Sequence, residues 1–140
     1  RAKRELERLK RIAKAEGVWE DMRFRDEIAK LEVDVIALEM MVLRVLSAEK
    51  SGKQSLDIAG LLKIRGSEIQ QRYSELMMMA AGPFSLPFIQ EAMDAGWQGD
   101  HVGAAHCAPL ASTYFNMRKT TIYGGSNEVQ RNIVAQTVLG

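Results

Sequence analysis

The sequence predicts an all-α protein, an up-down helical bundle of the four-helix-bundle type. Apolar residues recur at helical spacing through residues 1–16, 22–51 and 57–81, and again after Pro109. Gly and Pro gather at the ends of these segments and in one stretch between them, as helix boundaries require. Aromatics are scarce, Met reaches eight residues, and β-branched alternation is rare, which weighs against sheet. Short connections make successive helices antiparallel neighbours.

Residues 1–16 carry Leu6, Leu9, Ile12 and Ala13 as a narrow apolar stripe and end at Gly17. Seven basic residues against three acidic ones give this leader a local charge of +4. Such a helix suits nucleic acid or a membrane surface. It suits better a solvated helix, or a piece that packs on a domain outside the sequence, because the stripe lacks aromatics and the remaining chain is not basic. The leader and its connection through Asp21, with Trp19 as an anchor, are therefore set apart from a bundle at 22–140.

In residues 22–51, Ile28, Leu31, Val35, Leu38, Val42 and Val45 recur at alternating spacings of three and four, an inter-helix seam. Met40, Met41, Leu43 and Leu46 widen it, which predicts a central helix that Ser51-Gly52 stops. After a polar linker, 52–55, a second long helix spans 57–81, capped by Ser55 or Asp57. Ile58, Leu61, Leu62, Ile69, Tyr73, Leu76 and Ala80 form its buried face, Gly66 interrupts it, and Met77-Met78-Met79 read as core filling. Residues 82–108 are broken by Gly and Pro, yet Phe84, Phe88, Ile89, Met93 and Trp97 need burial there. Beyond Pro109 a helix carries Leu110, Tyr114, Met117 and Arg118 to a glycine pair, and a last helix starts at Asn127 with Val129, Ile133, Val134 and Val138 on its apolar side.

Composition excludes several classes. Net charge is +1, which argues neither for nor against a polyanionic partner, and no nucleic acid is expected. No apolar run approaches the ~20 residues of a membrane span, and the charged start offers no signal sequence. Cys107 stands alone, so a reducing, cytoplasmic setting is expected. His101, His106 and Cys107 match no zinc spacing, so no metal is assigned, and nothing marks Cys107 as a nucleophile. A chain that opens on Arg1 inside a helical pattern reads as a fragment of a longer protein.

Gly124-Gly125 organises the rest. Both glycines tolerate positive φ and close approach by another group, Ser126 is a good N-cap, and Glu128 suits the positive end of the helix that follows. The turn is a docking point for an anion, a carbonyl or a cofactor edge, and the residues by themselves leave that choice open.

The stretch from Thr121 to Ala135 resembles the C-terminal signature of the acyl-CoA dehydrogenases. It matches at Thr121, Ile122, Tyr123, Gly125, Ser126, Glu128, Gln130, Arg131, Asn132, Ile133 and Ala135, with Leu139-Gly140 closing it. Residues 25–39 and the segment from Arg44 through Glu49 resemble the family's preceding helix pair in residue type only. The resemblance covers residues 22–140 and is strongest over 113–140. It implies the C-terminal helical domain of a flavoprotein that uses FAD and removes the α-proton and β-hydride of an acyl-CoA thioester. It further implies pairing into homo- or hetero-oligomers, dimers or tetramers. By the same resemblance, Tyr123 and Gly124 bind substrate, with the Gly124 N–H on the thioester carbonyl, while Gly125, Ser126 and Glu128 line FAD. Many members carry their catalytic Glu where this chain has Gly124, so no catalytic residue is assigned here. Three explanations stay open: a base on an earlier helix, a non-catalytic subunit of a heteromer, or a helical partner protein that lost the chemistry.

Overall fold

The computed structural model describes residues 2–50 and 56–139. Among them there are five α-helices and no strand: α1 Ala2–Ala15, α2 Met22–Lys50, α3 Leu56–Ala81, α4 Leu110–Met117 and α5 Asn127–Leu139. The expected stop at Ser51-Gly52, the linker to Ser55, the side chains of Asp57 and Ile58, and Gly140 lie outside the described residues. Short 3-10 turns join the rest, at Val18–Glu20, at three places in 82–107 and at Arg118–Thr121.

The core forms where α3 meets its neighbours. α3 packs against α1, α2, α4 and α5. Ile69, Tyr73, Leu76, Met77, Ala80 and Ala81 of α3 are buried together with Leu6, Leu9, Ile12 and Ala13 of α1 and Ile28, Leu31 and Val35 of α2. Fully burying each large side chain of this kind stabilises the fold by roughly 1.5–3 kcal/mol.

Helix α1 is therefore a part of the packed body. The leader set apart in the sequence buries its whole apolar stripe on α3, and the hydroxyl of Tyr73 donates to the Ala2 carbonyl at 2.8 Å. Burial, with the Glu5 and Glu32 carboxylates nearby, raises the Tyr73 phenol well above its usual range. The surplus basic residues face outward, some in ion pairs with acids on α2 such as Lys3–Glu39 at 2.8 Å and Lys10–Glu32 at 3.2 Å. Gly17 ends the helix at φ +76°, and Trp19 packs half-buried beneath the Lys14 ammonium.

The central position falls to α3 and not, as expected, to α2. The seam of α2 is buried only through Val35 and thins at Leu38. Val42 is exposed, and so are Met40, Leu43 and Leu46, each about half accessible. On α3, Leu61 is exposed as well, and of the Met run only Met77 is buried, with Met79 at the surface. On α5, Val129, Ile133 and Val138 face solvent. Periodicity identifies an apolar face without saying whether this chain covers it. In 82–108, Phe84, Phe88 and Met93 are largely exposed, and Phe88 meets Phe115 edge-on at 5.9 Å.

Two α3 glycines behave differently. A Cβ at Gly66 would meet nothing within 4 Å, so the helix bears the cost of that glycine with no neighbour needing the space. A Cβ at Gly60 would come within 3.0 Å of Val134 Cγ2, because α5 crosses α3 closely there. Gly66→Ala should raise unfolding free energy by about 0.5–1 kcal/mol. Gly60→Ala should gain less or lose stability, and urea unfolding of both variants decides the comparison.

Candidate functional site

The glycine turn is built from behind by polar residues of α3. Gln71 Nε2 donates to the carbonyls of Met117 and Arg118 at 3.3 and 3.2 Å, holding the end of α4. It also reaches Thr121 Oγ1 at 3.2 Å. The Arg118 guanidinium returns across the gap to the Gln71 carbonyl at 3.1 Å and to Ser74 Oγ at 3.2 Å, while stacking 4.2 Å over the Tyr114 ring. The Met117 and Arg118 carbonyls also accept from the Thr120 and Thr121 hydroxyls, so the end of α4 is held from two sides.

On the far side of the turn, Asn127 opens α5 and is buried. Its Nδ2 donates to Ser67 Oγ at 3.1 Å, and its Oδ1 accepts from Lys63 Nζ at 2.8 Å. Ser67 Oγ in turn donates to the Ile64 carbonyl at 2.8 Å. A buried amide satisfied at both ends fixes the position of the α5 N-terminus, because breaking either bond would strand a polar group away from water. Arg131 adds an exposed ion pair to Glu68 at 3.0 Å, which contributes little.

Between these anchors the chain turns through two successive left-handed residues, Gly124 at φ +67° and Gly125 at φ +83°. No other described residue except glycine adopts positive φ. A Cβ at Gly124 would meet nothing within 4 Å, whereas one at Gly125 would lie 2.5 Å from Gln130 Nε2. Gly124 thus presents bare backbone to open space, and Gly125 lets the Gln130 side chain fold against the turn. Ser126 caps α5 as expected: its Oγ accepts the Val129 N–H at 3.3 Å. Hydrogen bonds from its own backbone N–H and from Ser126 hold the Glu128 carboxyl below its ordinary range, with Arg131 and Lys63 adding to the effect.

The five residues expected from the sequence, Tyr123, Gly124, Gly125, Ser126 and Glu128, therefore share one contiguous turn. Tyr123, Gly124, Gly125 and Glu128 are exposed, and Ser126 is half-buried. A lowered titration range makes the Glu128 carboxylate a weaker base than an ordinary glutamate. An apolar-walled cavity of about 320 Å³ lies elsewhere, lined in part by Leu38, Gly66, Ile69, Tyr73 and Met77.

The family model for the acyl-CoA dehydrogenase C-terminal domain matches residues 2–139. The chain belongs to that family. Two curated relatives, both named acyl-CoA dehydrogenase IpdE1, align over 98% of this chain: one from Mycolicibacterium smegmatis at 28% identity and one from Mycobacterium tuberculosis at 26%. The chain spans only about a third of each, 30% and 31%. The match to the family begins at residue 2, so it takes in α1 together with the rest of the chain.

The sequence did not expose the supports Lys63, Ser67, Gln71 and Ser74, which sit on α3 roughly one helical turn apart. A run of polar residues on an otherwise buried helix was the available signal. No described helix is long and apolar enough to cross a membrane.

Ser126→Ala should cost about 1 kcal/mol of stability. It should also raise the Glu128 titration midpoint toward that of an ordinary glutamate. In the wild type the ionised form is favoured by folding, so that contribution is present at neutral pH and is lost as pH falls through the lowered midpoint. Carboxyl-carbon NMR titration of both proteins checks the shift.

Proposed function

We propose that this chain is the C-terminal helical part of an FAD-dependent acyl-CoA dehydrogenase acting on the α,β-bond of an acyl-CoA thioester. The observation that carries this reading is the exposed, doubly left-handed Gly124-Gly125 turn in front of a capped helix, anchored to α3 from both sides. Family membership supports it.

Loss of the α-proton builds negative charge on the thioester oxygen, and a backbone donor aimed at that oxygen lowers the barrier. Gly124 supplies such a donor, with no side chain to keep the thioester away. Tyr123 lies beside it to bound the substrate. Gly125, Ser126 and Glu128 form the edge on which the flavin rests, and the open space at Gly124 and the exposed first turn of α5 fit a planar ring edge. When bound, flavin accepts the β-hydrogen as hydride. The base that takes the α-proton stands outside residues 121–135, since Gly124 has no side chain to do it. One observation favours a second reading. With glycine at the usual carboxylate position, the chain also suits a non-catalytic subunit paired with an active one.

The protein that carries this chain should purify with flavin absorbance that bleaches anaerobically on addition of an acyl-CoA. The 140-residue chain by itself should show neither bound flavin nor turnover. Gly124→Ala, strained at this φ, should misalign the donor and lower kcat by about tenfold or more while flavin stays bound. A colourless protein, inactive on every thioester until mixed with a second subunit, would establish the second reading instead.

The same proposal gives the bare apolar side of α2, at Ile36, Met40, Leu43 and Leu46, to a neighbouring subunit. Sedimentation velocity at high concentration should show self-association of the chain, and a clean monomer would count against it.

A further inference from the structure

Outside the turn, three ligand-type side chains converge where α1 ends. Glu16 follows the last residue of α1, and His106 and Cys107 lie in the 3-10 turn Ala105–Cys107 just before α4. Glu16 Oε1 is 2.5 Å from His106 Nε2 and 3.8 Å from Cys107 Sγ, and all three donor atoms lie within 4.8 Å of one another. His101, which the sequence groups with them, points elsewhere: its Nδ1 meets the Gly103 carbonyl at 3.1 Å and its ring lies near Trp97.

We propose that Glu16, His106 and Cys107 form a divalent-metal site of the zinc type, with a fourth position open to a water or a small anion. A carboxylate, an imidazole and a thiolate are the three donor types that zinc accepts, and three protein ligands plus one open position is a recurrent zinc arrangement. With ordinary zinc–ligand bond lengths, tetrahedral geometry sets donor separations of about 3.3–3.6 Å. The Glu16–His106 contact needs to open by less than ~1 Å.

Glu16 links the three groups: its Oε1 pairs with His106 Nε2 and accepts from the Cys107 thiol. Cys107 is buried, with its Sγ 3.8 Å from Glu16 Oε1. As the sulfur–metal bond forms, the Cys107 thiol gives up its proton to solvent. His106 also lines a cavity of about 190 Å³ with Arg8, Arg11, Ile12 and Ala15. Bound metal ties the end of α1 to the segment entering α4.

Cobalt(II) titrated into the full chain without chelator should bind one to one. It should give thiolate-to-cobalt charge transfer in the near ultraviolet and the strong visible bands of a tetrahedral site, both abolished by zinc. Glu16→Gln and Cys107→Ser should each weaken binding by more than about tenfold, with circular dichroism reporting that the helices persist. Should Cys107→Ser fail to fold, Glu16→Gln, which keeps the shape and a hydrogen bond to His106, carries the decision alone. Absence of the tetrahedral spectrum at saturating cobalt, or unchanged affinity in Glu16→Gln, would overturn the site and leave an ion pair only.

Discussion

The rest of the structure depends on α3 presenting a buried polar flank to α4, the glycine turn and α5, and apolar positions to α1 and α2. Its apolar positions hold α1 and α2, while Lys63, Ser67, Gln71 and Ser74 hold the two ends of the glycine turn. A buried polar group is tolerated only when its partners are fixed, so this flank specifies one arrangement of α4, the turn and α5. An apolar flank would hold α5 by area alone, and α5 would be freer to slide along α3. Fixing the turn in this way lets two glycines, the most flexible residues available, present a defined backbone.

The order of chemistry at the turn follows from that support. Asn127 is anchored, Ser126 caps, Glu128 stays ionised, and Gly124 is left open. Stabilising an oxyanion and abstracting the proton are separable tasks, and in the proposed reading the turn serves the first, because Gly124 offers a backbone N–H and no side chain.

Bare apolar surface is as informative as the core. α2 buries Ile28, Leu31 and Val35 yet leaves Met40, Leu43 and Leu46 uncovered. The two halves of one helix have the same residue character and opposite environments. The chain aligns with about a third of its relatives' length.

The sequence by itself determined the helical class, the approximate extent of four of the five helices and the signature turn. Local rules govern these features: helical periodicity, Ser126 as a cap, and glycine where φ must be positive. It also carried the residues of α1's stripe, but not their destination, because a 3.6-residue period says a face is apolar without saying what covers it. Only tertiary structure decided that α3, and not α2, is central, since that depends on which faces this chain can reach. It alone distinguished Gly60, pressed by Val134, from Gly66, pressed by nothing. It alone brought Glu16 to His106 and Cys107 across 90 residues. Spacing rules see ligands that are near in sequence, and here the third arrives from the end of another helix.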